Sequence, residues 1–258
     1  SKRPDGAFCF SGGEALLSES ALPSTTPLRS QPLRHAIVTI NDDDIATGGS
    51  MTAFTDRFSR AVDYARIAHA AQFRKGSSIP YIYHLLGVAS LVIEFGGNED
   101  QAIAGLLHDA LEDCGEAHEA MIRAQFGDAV ADIVKDCTDG TAGGKAGHTD
   151  PEAKRRDWIE RKLAYLAHLK QAPKATLLVS ACDKLHNARA IVQDLEDPEV
   201  GTRVFDRFTG GRAGTLGYYH SLAEIFAARE VRVAKVLDAT VGWMHELAGA
   251  EARTSLSP

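Results

Sequence analysis

From residue 51 onward the sequence repeats apolar side chains at the spacing of an α-helix, and this repeat limits the fold more than any other feature. In the segment FTDRFSRAVDYARIAHAAQF, which starts at Phe54, apolar residues recur every three or four positions. This spacing is typical of one face of a helix. The alternating pattern of a half-buried strand does not occur at any length. The sequence therefore predicts an all-α protein with irregularly packed helices.

Helix-breaking segments divide this region into several helices. After the first helix, Glu99 and Asp100 indicate the start of the next, because acidic residues favour the first turn. Further helices are predicted over about 118–137, 152–171, 173–195 and 215–248. The Gly-rich segment 138–153 between two of them is predicted to be a loop.

The two ends of the chain differ from the helical region. Residues 1–50 are rich in Ser, Pro, Thr and Gly and lack the helical repeat. We therefore predict a mostly disordered leader, or an extension ahead of a start at Met51. The folded domain is predicted to cover 51–250, and residues 251–258 are predicted to form a flexible tail.

Charge and cysteine content exclude several classes of protein. The net charge of −7 is unsuited to a general binder of duplex nucleic acid, although a local basic cluster could still bind a small polyanion. The four cysteines contain no CxxC pair, which favours free thiols in a reducing compartment. No run of residues qualifies as a membrane span. We therefore expect a cytoplasmic protein without a membrane partner or a duplex nucleic-acid partner, and with an oligomeric state that the sequence does not determine.

The segment GLLHDALEDCG places four polar residues close together. On a helical wheel, His108, Asp109, Glu112 and Asp113 share the side opposite the apolar residues. One interpretation is the solvated face of an amphipathic helix. The other is a site, because His and Asp are ligands for divalent ions and the second acidic pair can carry protons.

Two further candidates for metal ligands lie on other predicted helices. His84 stands beside apolar residues in YIYHLLGVASL, where a lone histidine is more often a hydrogen-bonded core residue than a ligand. Asp183 interrupts the apolar segment TLLVSACDKLHNARAI. A buried carboxylate there requires an ion pair, hydrogen bonds or a metal ion. With His108 and Asp109, these residues would supply two imidazoles and two carboxylates from three helices.

Four motifs in order resemble the hydrolase domain of the RelA/SpoT family, within the HD phosphohydrolase superfamily. They are AAQFRKGSSIPYIYHLLGVA, GLLHDALEDC, ACDKLHNARAI and GTLGYYHSLAEIF. The resemblance extends over about 54–235. It departs from the family pattern at Leu85, where the family has Pro after the histidine, and at the extra Ser of GSSIPY. The chain has no room for the synthetase and regulatory domains of long RelA/SpoT proteins, so the resemblance implies a stand-alone small alarmone hydrolase.

The resemblance implies an irregular multi-helix HD fold that uses one Mn²⁺ ion, or another divalent metal, to hydrolyse the 3′-diphosphate of guanosine tetra- or pentaphosphate. The implied metal ligands are His84, His108, Asp109 and Asp183. Glu112 and Asp113 would act on the attacking water and on the leaving group. The implied substrate-binding residues are Arg74, Lys75, Lys184 and Asn187.

Other interpretations remain open. Arg74 and Lys75 suit a substrate with several negative charges, but a solvated pair at a helix end has the same sequence. Trp158 and Tyr165 are expected in the core rather than as platforms for a base. The alternatives to guanosine alarmone hydrolysis are an HD phosphohydrolase for an adenosine alarmone or a deoxynucleotide, a non-catalytic nucleotide sensor, and a structural helical adaptor. Glu112 and Asp113 favour catalysis, because a sensor needs ligands but no proton carriers.

Overall fold

The computed structural model describes residues 54–138 and 150–257, which form nine α-helices. The helices are α1 (Asp56–Ala68), α2 (Ile82–Glu94), α3 (Glu99–Leu107), α4 (Ala117–Phe126), α5 (Asp128–Cys137), α6 (Pro151–Leu169), α7 (Lys174–Glu196), α8 (Gly211–Ala228) and α9 (Ala234–Leu247). A π-helical turn, Ala110–Cys114, follows α3, and a 3-10 helix, Gly201–Arg207, precedes α8. Within these two ranges the only extended pairing is a single bridge between Phe73 and Pro80. The prediction of an all-α protein is confirmed.

Helix α7 is the central element of the core. Every residue from 176 to 183 is buried, so this part of the helix contacts neighbours on all sides. It packs against α2, α3, α5, α8 and α9. A helix that is apolar around its whole circumference is stable only when it is surrounded by other helices. Asp183 lies at the end of this buried stretch, and its carboxylate is therefore held deep in the protein.

Local hydrogen bonds fix the start of α3, the helix that leads to the His-Asp pair. The Asn98 side chain accepts a hydrogen bond from the Gln101 backbone, and the Gln101 side chain accepts one from the Asn98 backbone, both at 3.0 Å. This reciprocal capping box satisfies two amide groups that the helix leaves unpaired. Arg57 of α1 also binds Glu99 and Asp100 in the first turn.

Two of the predicted helices are wrong as single elements. The predicted helix 118–137 is broken into α4 and α5 at Gly127, whose φ of 93° is a left-handed conformation that stops a helix. The predicted helix 215–248 is broken into α8 and α9 after a turn in which Glu230 has a φ of 53°. Apolar residues continue at helical spacing on both sides of each break, and the sequence pattern therefore does not reveal it.

Several predictions concern the ends of the chain and the loop. The predicted leader, 1–50, and residues 139–149 of the predicted loop lie outside the described residues. In the segment predicted as a flexible tail, the Leu256 amide donates to Ser221 of α8, and Arg253 binds Asp238 of α9. Among the helices described, none combines the length and the apolar content needed to cross a bilayer.

The break at Gly127 gives a test of the fold. Alanine at position 127 must adopt a left-handed backbone, which should lower the free energy of unfolding by about 1–2 kcal/mol. An added Cβ at Gly127 meets no atom within 4 Å, so this loss would come from the backbone alone. Gly242 is the matched control. It lies inside α9 with only an ordinary 3.7 Å neighbour, and its change to alanine should raise the same free energy by roughly 0.5–1 kcal/mol. Urea unfolding of both variants measures the two changes in the free energy of unfolding. Changes of the same sign would contradict the helix break assigned at Gly127.

Candidate metal centre

The segment GLLHDALEDCG does not continue as one amphipathic helix. Helix α3 ends at Leu107, and the π-helical turn begins at Ala110, so His108 and Asp109 lie at the junction between them. His108 is only 3% exposed, and the side chain of Asp109 is 17% exposed. The interpretation of these two residues as part of a solvated helix face is therefore wrong. The π-helical turn redirects the chain, and it leaves Glu112 half-buried and Asp113 exposed.

The four predicted ligands converge from three helical segments. His84 comes from α2, the His108–Asp109 pair follows α3, and Asp183 comes from α7. The Nε2 atom of His84 lies 3.2 Å from Asp183 Oδ1 and 3.7 Å from Asp109 Oδ2. The Nε2 atom of His108 lies 3.1 Å from Asp109 Oδ2 and 3.5 Å from Asp183 Oδ1. His84, His108 and Asp109 offer ligand atoms that are all within 4.8 Å of one another.

The two imidazoles present their Nε2 atoms to this centre in a form that suits a metal ion. The Nδ1 atom of His108 lies 2.9 Å from the Gly105 carbonyl, which can only accept a hydrogen bond. Nδ1 therefore carries the proton, and Nε2 of a neutral ring has a lone pair. Both Nε2 atoms are buried, and neither has a well-aligned hydrogen-bond partner among the described residues. Buried nitrogen atoms without partners, facing two carboxylates, fit a divalent ion with mixed nitrogen and oxygen ligands.

The carboxylates at the centre are held in the charged form. Asp183 accepts hydrogen bonds of 2.6 Å from both Lys184 and Asn187. Burial alone would raise the pKa of Asp183, but the charges of Lys184 and His108 beside it hold that pKa well below its usual value. Without an ion, Asp109 and Asp183 outweigh burial and raise the pKa of His108, and the resulting positive charge of His108 lowers the pKa of Asp109. A bound divalent ion would take the place of that proton at Nε2 of His108. Asp183 thus has the ion pair that the sequence allowed, and it also faces both histidines.

Two residues around the centre were missed by the sequence analysis. The Tyr81 hydroxyl donates a 2.6 Å hydrogen bond to Asp109 Oδ2, and burial together with the nearby carboxylates raises the pKa of Tyr81. His186 Nδ1 lies 3.0 Å from His84 Nδ1. Burial and the charges of His84 and Arg74 lower the pKa of His186 to about 4. The sequence does contain a signal for His186, because it lies three residues after Asp183 and so on the same face of the helix.

The centre lies beside a cleft of about 800 Å³, and every other predicted site residue lines it. These residues are Arg74, Lys75, Glu112, Asp113, Lys184 and Asn187. Arg74 donates a 2.7 Å hydrogen bond to Asn187, which in turn binds Asp183, so the cleft and the centre are directly connected. With Arg161, Lys162 and Arg207, the lining has six basic side chains against three acidic ones, although the whole chain is acidic. The cleft is therefore suited to a polyanion.

The two aromatic residues expected in the core have different positions. Tyr165 is buried and shares a 2.8 Å hydrogen bond with Ser180. Trp158 is half-buried, and it lines the cleft while its ring packs against Gly210 and Gly214. The expectation for Tyr165 agrees with the structure, whereas Trp158 belongs to the wall of the cleft.

Comparison with known proteins assigns the family. Residues 61–216 match the family described as the HD domain. The chain belongs to the HD domain family. This match covers the centre and much of the cleft, and it confirms the superfamily that the motifs indicated. Among solved structures, the crystal structure of lmo0812 from Listeria monocytogenes EGD-e has a TM-score of 0.51 and 26% identity, covering 66% of this chain and 96% of that one.

Two curated relatives carry names that agree with the motif resemblance. This HD-domain chain is 36% identical over 132 residues to the guanosine-3′,5′-bis(diphosphate) 3′-pyrophosphohydrolase MESH1 of Xenopus tropicalis. It is 34% identical over 145 residues to a probable guanosine-3′,5′-bis(diphosphate) 3′-pyrophosphohydrolase of a Synechocystis species. The matches cover 50% and 56% of this chain. The chain spans 66% of the length of the first relative and 18% of the second.

The hydrogen bond from Tyr81 to Asp109 gives a test of the centre. Phenylalanine at position 81 removes a hydrogen bond to a charged acceptor, which should lower the free energy of unfolding of the metal-free protein by about 1.5–3 kcal/mol. Tyr83 is the matched control, since it is exposed and two residues away, and its change to Phe should leave that free energy within about 0.5 kcal/mol. Urea titration of the two variants decides between them. Equal stability would show that the Tyr81 hydroxyl does not support the centre.

Proposed function

We propose that this HD-domain protein hydrolyses the 3′-diphosphate of guanosine tetra- or pentaphosphate, giving GDP or GTP and pyrophosphate, with one Mn²⁺ ion. The observation that carries the proposal is the position of the His/Asp centre at the side of a cleft rich in basic side chains. A divalent ion next to a polyanion-binding cleft can polarise a phosphoryl group and activate a water molecule, and both effects promote hydrolysis of a phosphate ester. The names of the two relatives support the choice of substrate.

The residues that would hold the ion are His84, His108, Asp109 and Asp183. Two imidazole and two carboxylate ligands suit Mn²⁺, which accepts both nitrogen and oxygen donors. When bound, the ion supplies Lewis-acid polarisation of the phosphoryl group and of the attacking water. Tyr81, Lys184 and Asn187 hold the two carboxylates in place through their hydrogen bonds. These contacts keep the ligand oxygen atoms oriented toward the histidines before any ion binds.

The residues that would bind the phosphates are Arg74, Lys75, Lys184 and Asn187. A bis-diphosphate carries several negative charges, and a guanidinium group can hold a phosphate through two parallel hydrogen bonds. Arg74 is oriented by its hydrogen bond to Asn187. Burial lowers the pKa of Lys75, which indicates partial desolvation of its ammonium group at the cleft wall. A desolvated cation interacts more strongly with an anion than a cation in bulk water does.

Glu112 and Asp113 would move the protons. Both follow the His108–Asp109 pair on the π-helical turn, and both line the cleft. One carboxylate would take a proton from the attacking water, and the other would give a proton to the departing 3′ oxygen. Their place at the cleft wall brings them to the substrate side of the centre, whereas His84 and Asp183 reach it from the core side.

We further propose a cytoplasmic location. Three cysteines, Cys114, Cys137 and Cys182, are free thiols, and burial raises the pKa of Cys114 to about 11. Free, protonated thiols are usual in reducing compartments. The proposed substrate is a nucleotide, and it would be encountered in the same compartment.

The proposal is tested by following hydrolysis of guanosine tetraphosphate with Mn²⁺, using wild type, Asp109→Ala and Glu112→Gln. Both variants should lose at least about 100-fold in kcat, because each removes a group that acts on the reacting atoms. Asp109→Ala should also lose Mn²⁺ affinity, whereas Glu112→Gln should keep it, because position 112 is not among the proposed ligands. Parallel reactions with an adenosine alarmone and with deoxynucleotides measure base and sugar preference.

The matched control is Glu116→Gln, an exposed carboxylate just beyond the π-helical turn that does not line the cleft. It should retain the wild-type rate. Wild-type rates in both Asp109→Ala and Glu112→Gln would exclude the proposed site. Faster turnover of an adenosine alarmone or a deoxynucleotide would assign a different nucleotide, and Mn²⁺ binding without turnover of any nucleotide would identify a sensor.

A further inference from the structure

Helix α2 contains a glycine, Gly87, one turn after the metal-centre residue His84, and the ring of His186 occupies the space beside it. A Cβ built at Gly87 would lie 2.1 Å from Nε2 and 2.3 Å from Cδ2 of His186. Real Cβ atoms do not approach other atoms this closely. Any side chain at position 87 would therefore push the imidazole of His186 away from α2.

The glycine is otherwise unfavourable where it stands. It lies inside α2, and glycine weakens a helix relative to alanine because it loses more backbone freedom on folding. The close approach of the His186 ring gives it a structural reason. His84 and Gly87 lie three residues apart on α2, and Asp183 and His186 lie three residues apart on α7. Residues with this spacing share a helix face, so the contact between α2 and α7 aligns His186 with His84.

The geometry of the two rings indicates a hydrogen bond rather than stacking. Nδ1 of His84 and Nδ1 of His186 are 3.0 Å apart, and the ring planes meet at 63°. Such a bond requires that one nitrogen atom carries a proton and that the other has a lone pair. Nε2 of His84 faces Asp183 and Asp109, and this atom needs its lone pair to bind an ion. The proton of His84 must then be on Nδ1, which donates to His186.

We propose that His186 is a positioning residue that orients His84 toward the metal ion by accepting the hydrogen bond from its Nδ1–H group. Gly87 is the residue that allows the His186 ring to reach this position. The inference depends on the proposed metal site, but it does not depend on which nucleotide is hydrolysed. A hydrogen bond from the ring nitrogen that does not bind the metal fixes both the tautomer and the ring angle of a metal-binding histidine.

The first test measures Mn²⁺ affinity of the full chain by isothermal titration calorimetry, without nucleotide and well below the melting temperature. His186→Leu fills the space but accepts no hydrogen bond, and it should weaken Mn²⁺ binding about 10–100-fold. His186→Asn should restore affinity to within about threefold of wild type, because its Oδ1 atom can take the place of Nδ1 as acceptor. His168→Leu, at an exposed histidine of α6, is the matched control and should bind as wild type does.

The second test is a double-mutant cycle on Gly87. In the wild-type background, Gly87→Ala should displace His186 and weaken Mn²⁺ binding by about tenfold. In a His186→Ala background the added methyl group has room, and Gly87→Ala should change affinity less than about twofold. Gly242→Ala, a helical glycine with an ordinary neighbour distance, should not change it in either background.

The outcomes separate this inference from the proposed function. Wild-type Mn²⁺ affinity in His186→Leu, or an Asn variant as weak as the Leu variant, would overturn the positioning role. An equal loss of Mn²⁺ affinity on Gly87→Ala in both backgrounds would also overturn it, because the loss would then come from a change in α2 and not from displacement of His186. Tight Mn²⁺ binding that responds to His186 as described, without hydrolysis of any alarmone, would overturn only the proposed function. A wild-type protein that binds no divalent ion would overturn both.

Discussion

The contact between two buried imidazoles and two carboxylates is the constraint on which the rest of the structure depends. Removing a carboxylate from water costs several kcal/mol unless charges and hydrogen bonds replace the water. Here Asp183 accepts hydrogen bonds from Lys184 and Asn187, and Asp109 accepts one from Tyr81. The two histidines provide the remaining compensation, which a divalent ion would strengthen. The packing of the helices must therefore bring all of these groups together inside the core.

The arrangement of helices follows from delivering these groups to one point. The central helix α7 supplies Asp183, its hydrogen-bond partners and His186 from a single stretch. Helix α2 packs beside it with His84. Asp109 faces the two histidines from the junction after α3, and the π-helical turn that follows places Glu112 at the wall of the cleft. The core side of the centre is thus built from apolar helices, and the cleft side from basic and acidic side chains. The centre therefore opens toward the cleft, while apolar side chains enclose its other side.

Much of the fold class and the identity of the candidate residues could be predicted from the sequence, but their local geometry could not. Helical spacing predicted the all-α class, and the ordered motifs predicted the four residues that converge at the candidate metal centre and the six that line the cleft. The wheel over 103–114 failed because a π-helical turn interrupts it, and no periodicity reports a π turn. The breaks at Gly127 and Glu230 depend on single backbone angles. The contacts of Tyr81 with Asp109 and of His186 with His84 join different parts of the chain, and a pattern within one helix does not predict them. The contact of His186 also needs the close approach of α2 and α7 that Gly87 allows.

We propose that His84, His108, Asp109 and Asp183 form one metal site, and diffraction from crystals grown with Mn²⁺ can locate the ion. Data collected on the two sides of the manganese absorption edge locate the ion without reference to activity. We expect one strong anomalous peak about 2.0–2.6 Å from Nε2 of both histidines and from an oxygen atom of each carboxylate, as for other divalent ions. A peak elsewhere, or no peak at saturating Mn²⁺, would contradict it.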